Sequence, residues 1–164
     1  MASGFSFVNG VMNPPIRAIL RSPLRFLLDG NLISLTYTGR RSGHRFSLVT
    51  MYTKHDNELI VVVGQPEKKK WWRNFRENSF ADVRFKGRKY TCAAQTLEKD
   101  PSSIAPRFEA YCCKHPSTAH LYGFRKGSDG KFKSEDIAIV AEQSVMVVFA
   151  LPSQATPDEK VVRT

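Results

Sequence analysis

No stretch of the 164-residue sequence approaches the roughly 18–20 consecutive apolar residues of a membrane-spanning helix. The N-terminus also lacks the basic region and long apolar run of a secretory signal, so the expectation is a cytoplasmic protein. Cysteine is scarce and odd in number: Cys92, Cys112 and Cys113, two of them adjacent, exclude a disulfide framework. There is no C-x-x-C pair, and His44, His55, His115 and His120 fall into no ligand spacing, so no metal site is expected. Also missing are a nucleophile elbow, a Walker loop, a dinucleotide glycine fingerprint and paired catalytic carboxylates. Catalysis by acid–base side chains therefore has little to rest on.

Acidic residues are short in one half only. Residues 1–89 hold 16 Lys and Arg against 6 Asp and Glu, and residues 90–164 hold 9 against 9, so the first half carries the whole net charge of +10. Such an excess invites an anionic partner: nucleic acid, an anionic membrane surface, or a phosphorylated or polycarboxylate cofactor. A solvated basic face with no ligand is the remaining alternative.

With 41% hydrophobic residues the chain can bury a single core. The expected organisation is a loose arm over 1–12, one domain over 13–151 and a polar tail over 152–164. Asn13, Pro14 and Pro15 suit a helix start, and Ile16, Ile19, Leu20, Leu24, Leu27 and Leu28 recur at helical spacing, with Arg17, Arg21 and Arg25 on another face. Strands are expected over 32–38, 46–54 and 58–63 as an antiparallel meander, then over 81–85, 89–97, 137–140 and 144–151, with turns between them. Helices are expected over 69–77 and 100–115, the latter capped by Asp100, with a loop from 116 to 134. The fold class that follows is mainly β with some α: a small barrel of about six antiparallel strands with two or three flanking helices.

Two segments carry chemistry. Thr38-Gly39-Arg40-Arg41-Ser42-Gly43 puts two guanidinium forks and two hydroxyls on a glycine-bounded turn, a composition able to hold a phosphate or carboxylate. A charged hairpin turn with no ligand would have the same composition. Lys68-Lys69-Lys70-Trp71-Trp72-Arg73-Asn74 follows about thirty residues later with flat aromatic surface, an amide and more cations. Here Trp71 reads equally as core and Trp72 as a surface aromatic.

These segments, together with Asn13-Pro14, Arg17, Leu20-Arg21-Ser22-Pro23-Leu24, Leu35-Thr36-Tyr37 and Phe75, resemble the deazaflavin-dependent nitroreductase family of the split β-barrel flavin and deazaflavin oxidoreductases. The resemblance implies a split β-barrel and coenzyme F-420, an 8-hydroxy-5-deazaflavin with a phosphate and an oligoglutamate tail. It implies hydride transfer from the reduced cofactor to a quinone, a nitroaromatic or a similar apolar acceptor. By the family pattern Thr38, Gly39, Arg40, Arg41, Ser42 and Gly43 would hold the anionic part, Lys68, Lys69 and Lys70 would extend a basic groove, and Trp71 and Asn74 would lie near the cofactor. Tyr122 and Tyr111 fall where the family lines its acceptor pocket with tyrosines.

Other readings of the residues stay open: flavin mononucleotide in place of F-420, or a cofactor or lipid carrier of the same fold without turnover. A homodimer and peripheral membrane contact through the 13–28 helix are compatible with the sequence. Nucleic acid is not expected, because no recognised binding motif accompanies the charge.

Overall fold

The structure is a computed structural model that describes residues 30–152. The 1–12 arm, the helix expected over 13–28 and the tail beyond Pro152 lie outside the described residues.

Seven strands form one antiparallel sheet: β1 (Leu32–Thr38), β2 (Arg45–Met51), β3 (Thr53–His55), β4 (Glu58–Val62), β5 (Ser79–Phe85), β6 (Arg88–Glu98) and β7 (Val145–Ala150). A 3-10 helix, Trp71–Phe75, precedes β5, and three α-helices separate β6 from β7: α1 (Pro101–Lys114), α2 (Pro116–Leu121) and α3 (Ser134–Gln143). The strand order is β2-β1-β5-β6-β7-β4-β3. β2 and β3 are thus the two edges of the sheet, yet a single residue, Tyr52, separates them in the chain. One residue spans at most about 3.6 Å. The sheet must therefore curl until its two edges come together at Tyr52, a curled half-barrel consistent with the split β-barrel that the family resemblance implies.

Alternation in the strands sets the inside of the barrel. Ile33, Leu35 and Tyr37 of β1 face Ala81, Val83 and Phe85 of β5, and Cys92 and Ala94 of β6, in one cluster with Phe75, Trp72 and Phe149. β4 and β7 are apolar on both faces. Leu59, Val61, Val147 and Phe149 point into the barrel, while Ile60 and Met146 point outward and carry the helices through Ile104, Phe108, Cys112, Ile137 and Ala141. That explains why β7 (VMVVFA) reads as a continuous apolar run: it lies between two cores.

Two-residue turns at Asp56-Asn57 and Lys86-Gly87 close hairpins, with positive φ at Asp56, Lys86 and Gly87. Asp100 caps α1 by accepting from the Ser103 N–H at 3.2 Å, as expected.

Five expectations are corrected. The strand expected over 46–54 breaks at Tyr52, and the expected meander is instead two hairpins at opposite edges of the sheet, because β5, β6 and β7 come between them. The stretch expected as a strand over 137–140 lies in helix α3, Ser134–Gln143, where Ile137 and Ala141 are buried and Ile139 is exposed. A strand would have put Ile137 and Ile139 on one face, and Glu135 and Asp136 in the first turn suit a helix N-terminus. The loop expected from 116 to 134 begins instead with helix α2, which Pro116 opens after ending α1, since its fixed φ fits the first helical position. Finally, the helix expected over 69–77 is only the five-residue 3-10 helix.

Candidate functional site

The turn between β1 and β2 and the 3-10 helix meet at one end of the barrel. Gly39 and Gly43 hold the turn through hydrogen bonds from Gly39 N–H to His44 O and from Gly43 N–H to Gly39 O, both 2.8 Å. A side chain at Gly39 would force its neighbours in the turn to move. A Cβ there would come within 2.6 Å of Phe46 Cε2 and 2.8 Å of Ser42 Oγ. Asn74 ties the two segments together: its Oδ1 accepts from the Arg40 backbone N–H at 2.8 Å, and its Nδ2 donates to Trp71 O at 2.7 Å.

Between them lies an open cleft of about 310 Å³, lined by Gly39, Arg40, Arg41, Ser42 and Phe46 on one side and Lys70, Arg73, Asn74 and Arg76 on the other. Lys70, Arg73 and Arg76 are spaced by three. Lys70 and Arg76 flank the 3-10 helix as its caps and Arg73 lies within it; with about three residues per 3-10 turn, this spacing brings all three to the same wall of the cleft. The row faces the arginines of the turn. Trp72 supports it from behind: its indole is buried, donates to Pro66 O at 3.1 Å, and lies 5.4 Å and 4.8 Å from the guanidinium carbons of Arg73 and Arg76.

Two carboxylates touch this group. Glu77 pairs with Arg40, and Glu98 takes Arg76 in a two-point grip at 2.6 and 3.0 Å. Arg41, Lys70 and Arg73 have no ion-pair partner among the described residues. The cleft is therefore strongly positive and can take an anion with more than one charged group.

Of the residues singled out from the sequence, Gly39, Arg40, Arg41, Ser42, Lys70 and Asn74 line this cleft. Thr38 and Gly43 border the turn, and Lys68 and Lys69 precede the row without lining the cleft. Burial lowers the Lys69 pKa, with Glu67 opposing. Of the readings left open for the tryptophans, the one with Trp71 as core and Trp72 at the surface does not hold: Trp72 is core, and Trp71 is half-buried against the edge of Phe75 at 6.2 Å. Arg73, Arg76 and Phe46 were not singled out as site residues. The signal for the two arginines was their spacing of three from Lys70, which puts them on the same side of a short helical turn.

Tyr111 and Tyr122 stand apart from the cleft. Tyr111 is buried at the end of α1 with its ring 4.6 Å from that of His115. Tyr122 follows α2, packs on Phe108 and Phe124 at 5.3 and 5.9 Å, and remains 41% exposed. Burial raises both phenol pKa values, so each hydroxyl is a neutral donor at ordinary pH.

Residues 23–112 match the F-420H(2)-dependent quinone reductase family, over half of the chain and across both sides of the cleft. The chain belongs to this family. As a member of the F-420H(2)-dependent quinone reductases it is a deazaflavin-dependent oxidoreductase. The matched span contains Tyr111 and stops before Tyr122.

Among solved structures, an F-420-H2 dependent reductase is similar to 72% of this chain and 93% of its own, with 16% identity and a TM-score of 0.47. A FAD-binding protein from Mesorhizobium loti covers 80% of this chain and 90% of its own at 14% identity and a TM-score of 0.45. The FAD and heme binding protein from Mycobacterium smegmatis matches at 17% identity over 80% of this chain and 67% of its own, with a TM-score of 0.39. No curated protein matches the chain.

Proposed function

We propose that the basic cleft holds the anionic end of coenzyme F-420 and that the protein reduces a quinone or similar apolar acceptor beside it. The observation that carries this reading is the convergence of Arg40 and Arg41 with the row Lys70, Arg73 and Arg76 on one open cleft. The donor set fits the group: guanidinium forks, an ammonium and the Ser42 hydroxyl match a phosphate followed by carboxylates. Arg40, Arg41 and Ser42 take the phosphate, within the backbone frame of Thr38, Gly39 and Gly43. Lys70 and Arg73 run along the tail, with Lys68 and Lys69 extending the positive approach. Asn74 holds the turn in position, and Trp71 offers a half-buried ring beside Lys70 in the chain.

Reduced F-420, when bound, supplies the hydride. The chain's own residues bind, orient and shelter the reactants. Tyr122, with Tyr111 behind it, is assigned to the acceptor side, where a neutral hydroxyl can donate to the acceptor oxygen as it gains charge.

Titration with F-420 and with flavin mononucleotide, read by tryptophan fluorescence, tests the reading. The double variant Arg40→Ala, Arg41→Ala should weaken F-420 binding about thirtyfold, taking roughly 1 kcal/mol per contact in a cleft open to solvent. Unchanged affinity in a folded double variant would remove the cleft from the cofactor site. Tighter binding of flavin mononucleotide than of F-420 would replace the cofactor.

A further inference from the structure

The second half of the chain is neutral in sum, but its cations are not evenly spread. Between α2 and α3 the chain folds back on itself over residues 125–133, Arg-Lys-Gly-Ser-Asp-Gly-Lys-Phe-Lys, with a bridge between Lys126 and Phe132. Gly127 N–H donates to Lys131 O at 2.8 Å, Gly130 N–H to Gly127 O at 3.0 Å, and Gly130 takes φ +74°, so this is a built hairpin. It is rooted by Phe132 and Phe124, both buried, with ring centroids 6.0 Å apart.

Four cations stand on it, Arg125, Lys126, Lys131 and Lys133, all exposed and none ion-paired among the described residues. Its one acid, Asp129, accepts from the Lys131 N–H at 3.1 Å within the turn. Immediately before the hairpin, Leu121 is 65% exposed and Tyr122 is 41% exposed. A basic hairpin beside an exposed leucine and a half-exposed tyrosine combines cations for headgroups, an apolar side chain for the acyl boundary and an amphipathic ring between them.

We propose that residues 121–133 form a docking surface for an anionic lipid bilayer, bringing the acceptor side of the protein against the phase in which long-tailed quinones dissolve. The surface is separate from the basic cleft, since none of its residues lines that cleft. The assignment rests on the quinone reading given above. Without an apolar acceptor the reductase has no need of the bilayer.

Co-sedimentation of the full chain with vesicles of phosphatidylcholine alone, and of phosphatidylcholine mixed with phosphatidylglycerol, tests this without turnover. Binding is expected to the mixed vesicles only and to fall as salt rises. Arg125→Gln with Lys126→Gln should reduce it about thirtyfold, from the loss of two headgroup contacts, and Leu121→Ser should reduce it several-fold while leaving the salt dependence in place. Reduction of soluble menadione should be unchanged in both variants, which shows that they are folded and separates this surface from the active site. Equal binding by wild type and variants would overturn the proposal and give membrane contact to another segment, such as the sequence carrying Arg17, Arg21 and Arg25. No binding to anionic vesicles at low salt would overturn it too. Loss of menadione reduction in the wild type with vesicle binding intact would strike the quinone reading and leave the surface standing.

Discussion

Glu77 sits at the rim of the cleft, its side chain 77% exposed, and engages Arg40, which is 46% exposed. An exposed pair of this kind is worth about 0–1 kcal/mol, so an arriving anion displaces the carboxylate at little cost, yet the carboxylate still opposes binding by its charge. Glu98 acts in the opposite way. Its two-point grip fixes the plane of Arg76, on a guanidinium that Trp72 already backs, so it orients a cleft cation instead of competing for one. Glu77→Gln is therefore expected to raise affinity for F-420, and for pyrophosphate as a simpler anion, by about two- to fivefold at low salt, the fold-change of roughly 0.4–1 kcal/mol. Isothermal titration measures it directly. Weaker binding would mean that Glu77 holds Arg40 in its working position.

The junction of α1 and α2 shows how elements are pinned together. His115 is buried, and its Nε2 lies 2.9 Å from Tyr52 O, so the ring donates there to the residue at which the chain passes from one sheet edge to the other. Burial lowers its pKa from the ordinary 6.5, the hydrogen bond to Tyr52 partly opposing and Lys114 adding to the shift. The folded protein thus takes up this proton less readily than the unfolded chain. Stability from the neutral ring is fully present above the unfolded pKa and declines as pH falls below it toward the lowered folded value. Thermal melts from neutral to mildly acidic pH should show this decline in wild type. His115→Gln, which keeps an N–H donor but does not titrate, should flatten it; an equal decline in the variant would assign the effect to other groups. Elements of this region were unevenly legible in the sequence. Asp100, Pro101 and the spacing of Ile104, Phe108 and Cys112 announced α1, because capping and helical period agreed. The apolar stretch at Ile137 resembled a strand because four residues cannot separate a period of two from one of 3.6. Lys70, Arg73 and Arg76 escaped for a different reason: the segment is a single short 3-10 turn in which the Asn74 side chain donates to Trp71 O, and a run of three cations in so short an element carries no period that marks it as a cleft wall.

Across the whole molecule the anion-binding residues and the tyrosines belong to different layers. The cleft is carried by the end of the β1–β2 hairpin and the 3-10 helix, which seal the barrel core through Phe75 and Trp72. Tyr122 belongs to the helical layer on the outer face of β4 and β7, resting on Phe108 and Phe124. Local sequence revealed the turn of Arg40, Arg41 and Ser42, since its chemistry is contiguous. It could not reveal that β2 and β3 lie at opposite edges, because strand order is a long-range property. This separation makes the assignment of Tyr122 to the acceptor testable by kinetics. If its ring touches the acceptor, Tyr122→Ala should lower kcat with menadione while F-420 affinity holds, because no contact in the cleft is altered. Tyr122→Phe keeps the stack on Phe124 and removes the hydroxyl. A fall of about tenfold or more in kcat/KM for the Phe variant would correspond to roughly 1.4 kcal/mol of transition-state stabilisation from the O–H, and retained activity would mean that the ring's stacking surface dominates. Wild-type behaviour in both variants would reduce Tyr122 to a packing residue of the helical layer and move the acceptor to the cleft side of the barrel.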